Sequence, residues 1–191
     1  LAGAVVEHAP DIAEFVELDP GQRAALAAVG LDRHRRVIAR KLGIFATDGA
    51  DADLLNALKE EVTSAGGMTM LISPKVGGIT LSDGSHMEAD EKIDGGPSVL
   101  FDAVALLISE EGADMVKNDA PSRDFVADAF AHCKFIGYVE TAQPLMEKAS
   151  VWDAKDEGCV ALSKTGDVPG FVKTLGKLRH WDREPMVDLD G

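Results

Sequence analysis

From Lys41 onward, short apolar runs alternate with segments whose apolar residues recur every three or four positions, a pattern that predicts strands alternating with helices. Leu42–Ala46 reads as a strand ending in the turn residues Thr47, Asp48 and Gly49. Leu54, Leu55, Leu58 and Val62 then share one helical face, with Asp51 as a candidate cap and Gly66-Gly67 as the stop. Met68–Ile72 is the next strand, and Ile79-Thr80-Leu81 with His86-Met87-Glu88 reads as a hairpin turned at Asp83-Gly84. Val104–Ile108 is uninterrupted and apolar, as expected of a strand covered on both faces. A helix from about Pro121 presents Phe125, Val126, Ala129, Phe130 and Cys133, and leads into the strand Phe135–Val139. That strand breaks at Glu140-Thr141 into a short helix through Leu145 and Met146. Cys159–Leu162 reads as an edge strand, and Asp167-Val168-Pro169 opens a last helix with Phe171, Val172, Leu175, Leu178 and Trp181 inward. Strands and helices joined by short turns predict an α/β fold: a doubly wound, mostly parallel open sheet with helices on both faces and right-handed crossovers.

Residues 1–40 follow a different pattern. Asp19-Pro20-Gly21 looks like a helix entry, and Ala24, Ala25, Leu26, Ala28 and Val29 form a short apolar helix ended by Gly30. Asp32–Arg40 is the one strongly basic run in the chain, either a solvated linker face or an arm that packs on an acidic neighbour. The expected organisation is a helical linker arm over 1–40 and one domain over 41–191. A chain opening on Leu1 rather than Met also reads as part of something longer.

Composition narrows the partners more than the fold. Of the 191 residues, 46% are hydrophobic and 27% charged, which suits a packed domain and not a disordered chain. A formal net charge of -14 argues against nucleic acid and against an anionic membrane surface. The apolar run Val99–Ile108 is interrupted by Asp102 and falls well short of the roughly 20 residues of a membrane span. No secretory leader is visible, so the expected location is cytoplasmic. Cys133 and Cys159 read as two buried free thiols, with a disulfide as the other arrangement.

Candidate chemistry is sparse. The pairs Asp48-Gly49, Gly77-Gly78 and Gly95-Gly96 match no phosphate-binding loop. His8, His34, His86, His132 and His180 are scattered, with no metal-ligand spacing to a Cys or carboxylate. His132-Cys133 pairs a thiol with a base, but before a strand rather than after it, and neighbours in a helix do not face each other. The turn at Glu140 is the place where a doubly wound fold holds its ligands and nucleophiles. Glu140 near Asp48 and Asp51 would gather acids and raise a pKa for acid–base work; equally, Glu140 could accept backbone N–H groups at a helix start.

The segments LGIFATDGADADLL, PKVGGITLSDG, GGPSVLFDAVALLIS, RDFVADAFAHCKFIGYVETAQPLMEKA and HWDREPMV together resemble the C-terminal domain of large-subunit haem catalases, over roughly residues 41–187. Residues 1–40 resemble the segment leading to it from the haem-bearing part. The resemblance implies a flavodoxin-like fold related to the PfpI/ThiJ and class I glutamine amidotransferase-like proteins. Those relatives carry a nucleophilic Cys after the strand matching Phe135–Val139, often followed by His, and an acid from the first strand–helix turn. The Cys position falls on Glu140, the next on Thr141, and the acid approximately on Asp51. The acid is kept and the nucleophile lost, so the resemblance implies a vestigial site without amidotransferase, protease or deglycase activity. It also implies that haem belongs to the preceding part of the parent, where a Tyr holds the iron; the single Tyr here, Tyr138, lies in a core strand. Expected partners are the catalase haem domain, the other subunits of a homotetramer and unfolded client proteins. A free-standing PfpI/ThiJ-type stress protein or hydrolase using Glu140 and Asp51 is the other expectation.

Overall fold

The computed structural model describes Val37 and residues 39–187; the helix expected over Ala24–Val29 and nearly all of the basic run lie outside the described residues. β1 (Lys41–Ala46), β2 (Met68–Ser73), β5 (Glu91–Lys92), β6 (Ala103–Leu107), β7 (Ile136–Tyr138) and β8 (Cys159–Ala161) form one parallel sheet in the order β5-β2-β1-β6-β7-β8. Leu42 pairs with Ala103 and Thr69, while Ile136 pairs with Val104 and Cys159. β8 is the sheet edge its composition predicts. β3 (Ile79–Thr80) and β4 (His86–Met87) pair as the expected antiparallel hairpin.

Because successive strand residues point to opposite faces, the continuous apolar runs supply two cores at once. Leu42, Ile44, Ala105 and Leu107 pack with α1 (Ala52–Ser64) and α5 (Val168–Leu175) through Leu55, Leu58, Val62 and Phe171. Phe45, Val104, Leu106 and Ile136 pack on the other side with α2 (Glu110–Val116), α3 (Ala120–Ala131) and α4 (Gln143–Lys148) through Val116, Phe125, Ala129 and Leu145. This is the doubly wound α/β sheet with helices on both faces that the alternation predicts.

Five local features differ from expectation. α2 was not legible: EEGADMV is too short and polar for a helical period to show, and its start depends on the Ser109 hydroxyl accepting from the Gly112 amide at 2.9 Å. β5 is only two polar residues, exposed at the edge. Cys133 does not lie on the face of α3; it follows the helix with φ 53°, a left-handed residue that ends the turn. Leu178 and Trp181 lie beyond α5, Leu178 half-buried with φ 68° and Trp181 59% exposed, so neither completes its inward face. Asp167, expected to cap that helix, instead accepts from the Ser163 and Lys164 amides and closes the turn before it.

Candidate functional site

Four parallel strands, β1, β6, β7 and β8, end on the same side, and their turns enclose a cleft of about 420 Å³. Asp51 enters it from the start of α1, where its Oδ1 accepts from the Leu54 amide at 2.8 Å. That bond satisfies one of the amides a helix leaves unpaired at its first turn. The hairpin loop fastens the same corner: Ser82 accepts from the Ala52 amide at 3.1 Å and donates its own amide to the Ala50 carbonyl at 2.9 Å. Gly49, at φ 81°, makes the turn between β1 and α1 and donates to the Thr80 carbonyl.

Glu140 and Thr141 reach the cleft from the turn after β7, Ser109 and Glu110 from that after β6, and Ser163 from beyond β8. Glu140 is exposed, and among the described residues no hydrogen bond to its carboxylate is found. The expected alternative, that Glu140 collects backbone amides at the helix start, is therefore not what the structure shows. Thr141 is tied down, its hydroxyl donating to the Ile108 carbonyl at 2.5 Å and joining the β6 and β7 turns. Ser109 is no free nucleophile either: its hydroxyl donates to the Asp48 carbonyl at 2.6 Å while accepting from Gly112.

Asp51 and Glu140 line one cleft, as expected, but Asp48 does not join them. Its carboxylate accepts from Lys75 Nζ at 2.7 Å and from the Thr80 amide at 2.9 Å. The Lys75 hydrogen bond, followed by that of Thr80, holds its pKa below the usual carboxylate value, opposite to the rise a cluster of acids would cause. Among the described residues the lining thus brings together Asp51, Glu110 and Glu140 with the hydroxyls of Ser109 and Thr141, already engaged locally, and that of Ser163, and it includes no thiol, imidazole or cation. Among the described residues no group of three His, Cys, Asp or Glu stands close enough to hold a metal ion, and no helix is long and apolar enough to cross a membrane.

Other candidates among the described residues make structural contacts, while His8 and His34 lie outside them. His86 bonds the Gly77 carbonyl at 2.9 Å, and His180 stands 3.6 Å from Asp156. Tyr138 is 8% exposed and packs edge-on against Trp152, and burial pushes its phenol up. Cys133 and Cys159 are free, Cys133 buried as expected and Cys159 only partly so; burial raises both thiols.

Sequence reasoning missed the most elaborate polar cluster, at the opposite end of the sheet. Arg183, fully buried, makes paired bonds of 2.7 Å from Nε and Nη2 to Asp156, and its Nη1 donates to the carbonyls of Lys134 and Phe130. Its guanidinium also lies 4.1 Å from the Phe130 ring centre. The only sign in the sequence was that HWDREPMV stands out as a motif far from any strand. Nothing in spacing links Arg183 to Asp156 or Lys134.

An open parallel sheet in this order, with its cleft at the carboxyl ends, is a flavodoxin-like α/β fold, the fold also of DJ-1/ThiJ/PfpI-like proteins. DJ-1beta from Drosophila melanogaster superposes with TM-score 0.62 over 78% of this chain and 96% of its own, at 14% identity. A two-domain protein from Anabaena variabilis containing DJ-1/ThiJ/PfpI-like and ferritin-like domains gives TM-score 0.62 over 71% of this chain and 47% of its own, at 13% identity. At such identities the likeness concerns the fold alone. Residues 38–185 match the model of the C-terminal domain found in long catalases, and the chain belongs to that family. It is 47% identical over 178 residues to Catalase C of Rhizobium meliloti, covering 93% of this chain and 25% of that protein. It is also 26% identical over 153 residues to Catalase-B of Dictyostelium discoideum, covering 79% of this chain and 22% of that one. The chain thus spans about a quarter of the length of these relatives.

Proposed function

We propose that this chain is the non-catalytic C-terminal domain of a haem catalase, joined by a linker arm over residues 1–40 to a body that decomposes hydrogen peroxide to water and oxygen. The observation that carries the proposal is the match of residues 38–185 to the domain found in long catalases, with relatives about four times as long. The cleft supports the non-catalytic part. Where the resemblance implies a thiol nucleophile, the chain has an exposed carboxylate, Glu140, and a hydroxyl committed to a carbonyl, Thr141. Attack and acyl transfer need a polarisable nucleophile with a base in reach; the described lining of the cleft offers carboxylates as bases but no thiol for them to activate. Nor do the described residues suit a haem: Tyr138 packs against Trp152 inside the domain. Haem chemistry then belongs to the preceding body.

The domain's own work, on this proposal, is to help assemble and stabilise a homotetramer, to shape access to the haem, and to shield unfolded client proteins. Unpaired Cys133 and Cys159 support a reducing compartment such as the cytoplasm. The test compares the full gene product with a version ending before Lys41. The expected result is haem absorbance and peroxide decomposition in both, with the shorter version losing tetramer on light scattering or inactivating at lower temperature. Equal assembly and heat resistance would overturn the assembly role. A haem-free full product, with a hydrolase activity abolished by Glu140→Ala, would replace the proposal with a free-standing enzyme.

A further inference from the structure

A second cleft, of about 460 Å³, lies at the opposite end of the sheet, where the strands begin. Its floor is Lys134, whose side chain is buried in a residue 2% exposed and whose Nζ donates to the Ser98 carbonyl. An ammonium has three N–H donors, and among the described residues that carbonyl is its one partner; no carboxylate stands within ion-pair distance. Beside it is Arg179, whose Nη1 donates to the carbonyls of Asp102 and Leu178 while Nε and Nη2 have no partner among the described residues. The Ser98 hydroxyl, on the residue that receives Lys134, is buried and unbonded. Burial and the neighbouring Arg179 bring the Lys134 pKa down to about 8, the expected response of a cation lacking a close counter-charge.

The walls are mixed, with His132, Cys133 and Glu184 beside the apolar side chains. Val99 is 65% exposed and Trp181 59%, both large side chains presented to solvent on the rim, and Val187 closes the far side. Among the described residues Glu184 is the one acid in the lining. Two cations beneath an apolar rim, in a chain of net charge -14, are a local inversion of the surface. The volume falls within the roughly 300–1,000 Å³ of small-molecule sites. A recessed ammonium and a guanidinium edge suit one carboxylate, and the Trp181 ring suits a flat apolar group attached to it.

We propose that this cleft is a binding site for a small carboxylate carried on an aromatic or branched apolar group, with Lys134 and Arg179 holding the carboxylate and Val99 and Trp181 the apolar part. The site is separate from the Asp51–Glu140 cleft and does not depend on the catalase reading.

The test is a titration of the 191-residue chain with 3-phenylpropionate into the millimolar range, followed by the indole N–H signals of its two tryptophans in nitrogen-15 spectra. The expected result is a saturable shift at Trp181 and none at Trp152, with 3-phenylpropanamide at least about tenfold weaker, as the loss of a charge-assisted contact requires. Lys134→Met should weaken binding by a similar factor; because that position is buried, Arg179→Gln and the exposed Trp181→Ala repeat the test without touching the core. Equal binding of acid and amide, shifts at Trp152 instead, no saturation, or unchanged affinity in a folded Arg179→Gln would each overturn the proposal. Saturation by an acidic peptide with none by the free acid would also overturn it and assign the cleft to a protein partner.

Discussion

Replacing Asp156 by Asn tests whether the Arg183 cluster holds the tail of the domain against its sheet. Arg183 is fully buried and the Asp156 side chain 17% exposed, so the carboxylate is the main compensation for a guanidinium otherwise surrounded by carbonyls, a phenyl ring and the Cys159 sulfur. Asparagine keeps the shape, removes the charge and turns an N–H₂ toward donors. Breaking one partner of a buried pair costs roughly 3–5 kcal/mol. Because Asp156 keeps some contact with water, the low end, about 3 kcal/mol, is expected; in a chain of this size that is a melting temperature lower by about 6–12 °C. Denaturant unfolding followed by circular dichroism measures it, with exposed Asp114→Ala as a control expected to change little. Acid titration gives a second readout. Burial alone would raise the Asp156 pKa, but the Arg183 hydrogen bonds and charge, the Gly158 amide and His180 outweigh it and leave the carboxyl below its ordinary value. Its contribution is therefore present above the unfolded carboxylate pKa and lost as pH falls through the lower folded value, and the Asn variant should lack that portion of the acid transition. The double variant Asp156→Leu with Arg183→Met should regain most of the loss. An Asp156→Asn protein within about 1 kcal/mol of the parent, with an unchanged denaturant slope, would refute the reasoning.

The remaining predictions concern the clefts and the helix that sequence reading missed. Gly112→Ala should destabilise by about 2 kcal/mol or more and loosen the Thr47–Ser109 corner, since its Cβ would stand 2.1 Å from Thr47 Oγ1; thermal melts check it. Glu140→Ala should stay within about 0.5 kcal/mol of the parent, because the exposed carboxylate has no hydrogen bond among the described residues, and a larger loss by denaturant unfolding would restore a capping role. For Lys134 the folded pKa of about 8 lies below its ordinary 10.5, so between those values the folded state has shed a proton that the unfolded state keeps. Stability relative to Lys134→Met should then rise from pH 8 toward pH 10, measured by urea unfolding at each pH.

Strand and helix identity in this chain was set by local patterning. Val104–Ile108 had to be a strand covered on both sides because nothing polar interrupts it, and Leu54, Leu55, Leu58 and Val62 had to form one face of a helix. The same reading placed Asp51 at a helix cap and Glu140 at the turn after a central strand, and both do line the carboxyl-end cleft. It erred wherever the deciding partner was distant. Ser109, which caps α2, is held in place by Thr47, 62 residues away. Asp48 leaves the cleft because Lys75, 27 residues on, takes its carboxylate.

Family membership, too, was readable from motifs, since residues that must fit one fold leave long recognisable segments. The charge clusters were not. Arg183 reaches Asp156 and Lys134 across 27 and 49 residues, and Lys134 meets Ser98 across 36. Apolar periodicity is a short-range property that repeats along the chain, so sequence alone determined the layers. Burial of a charge is worthwhile only when particular distant atoms converge on it, so the tertiary structure alone decided where the cations lie and which carboxylate each one meets.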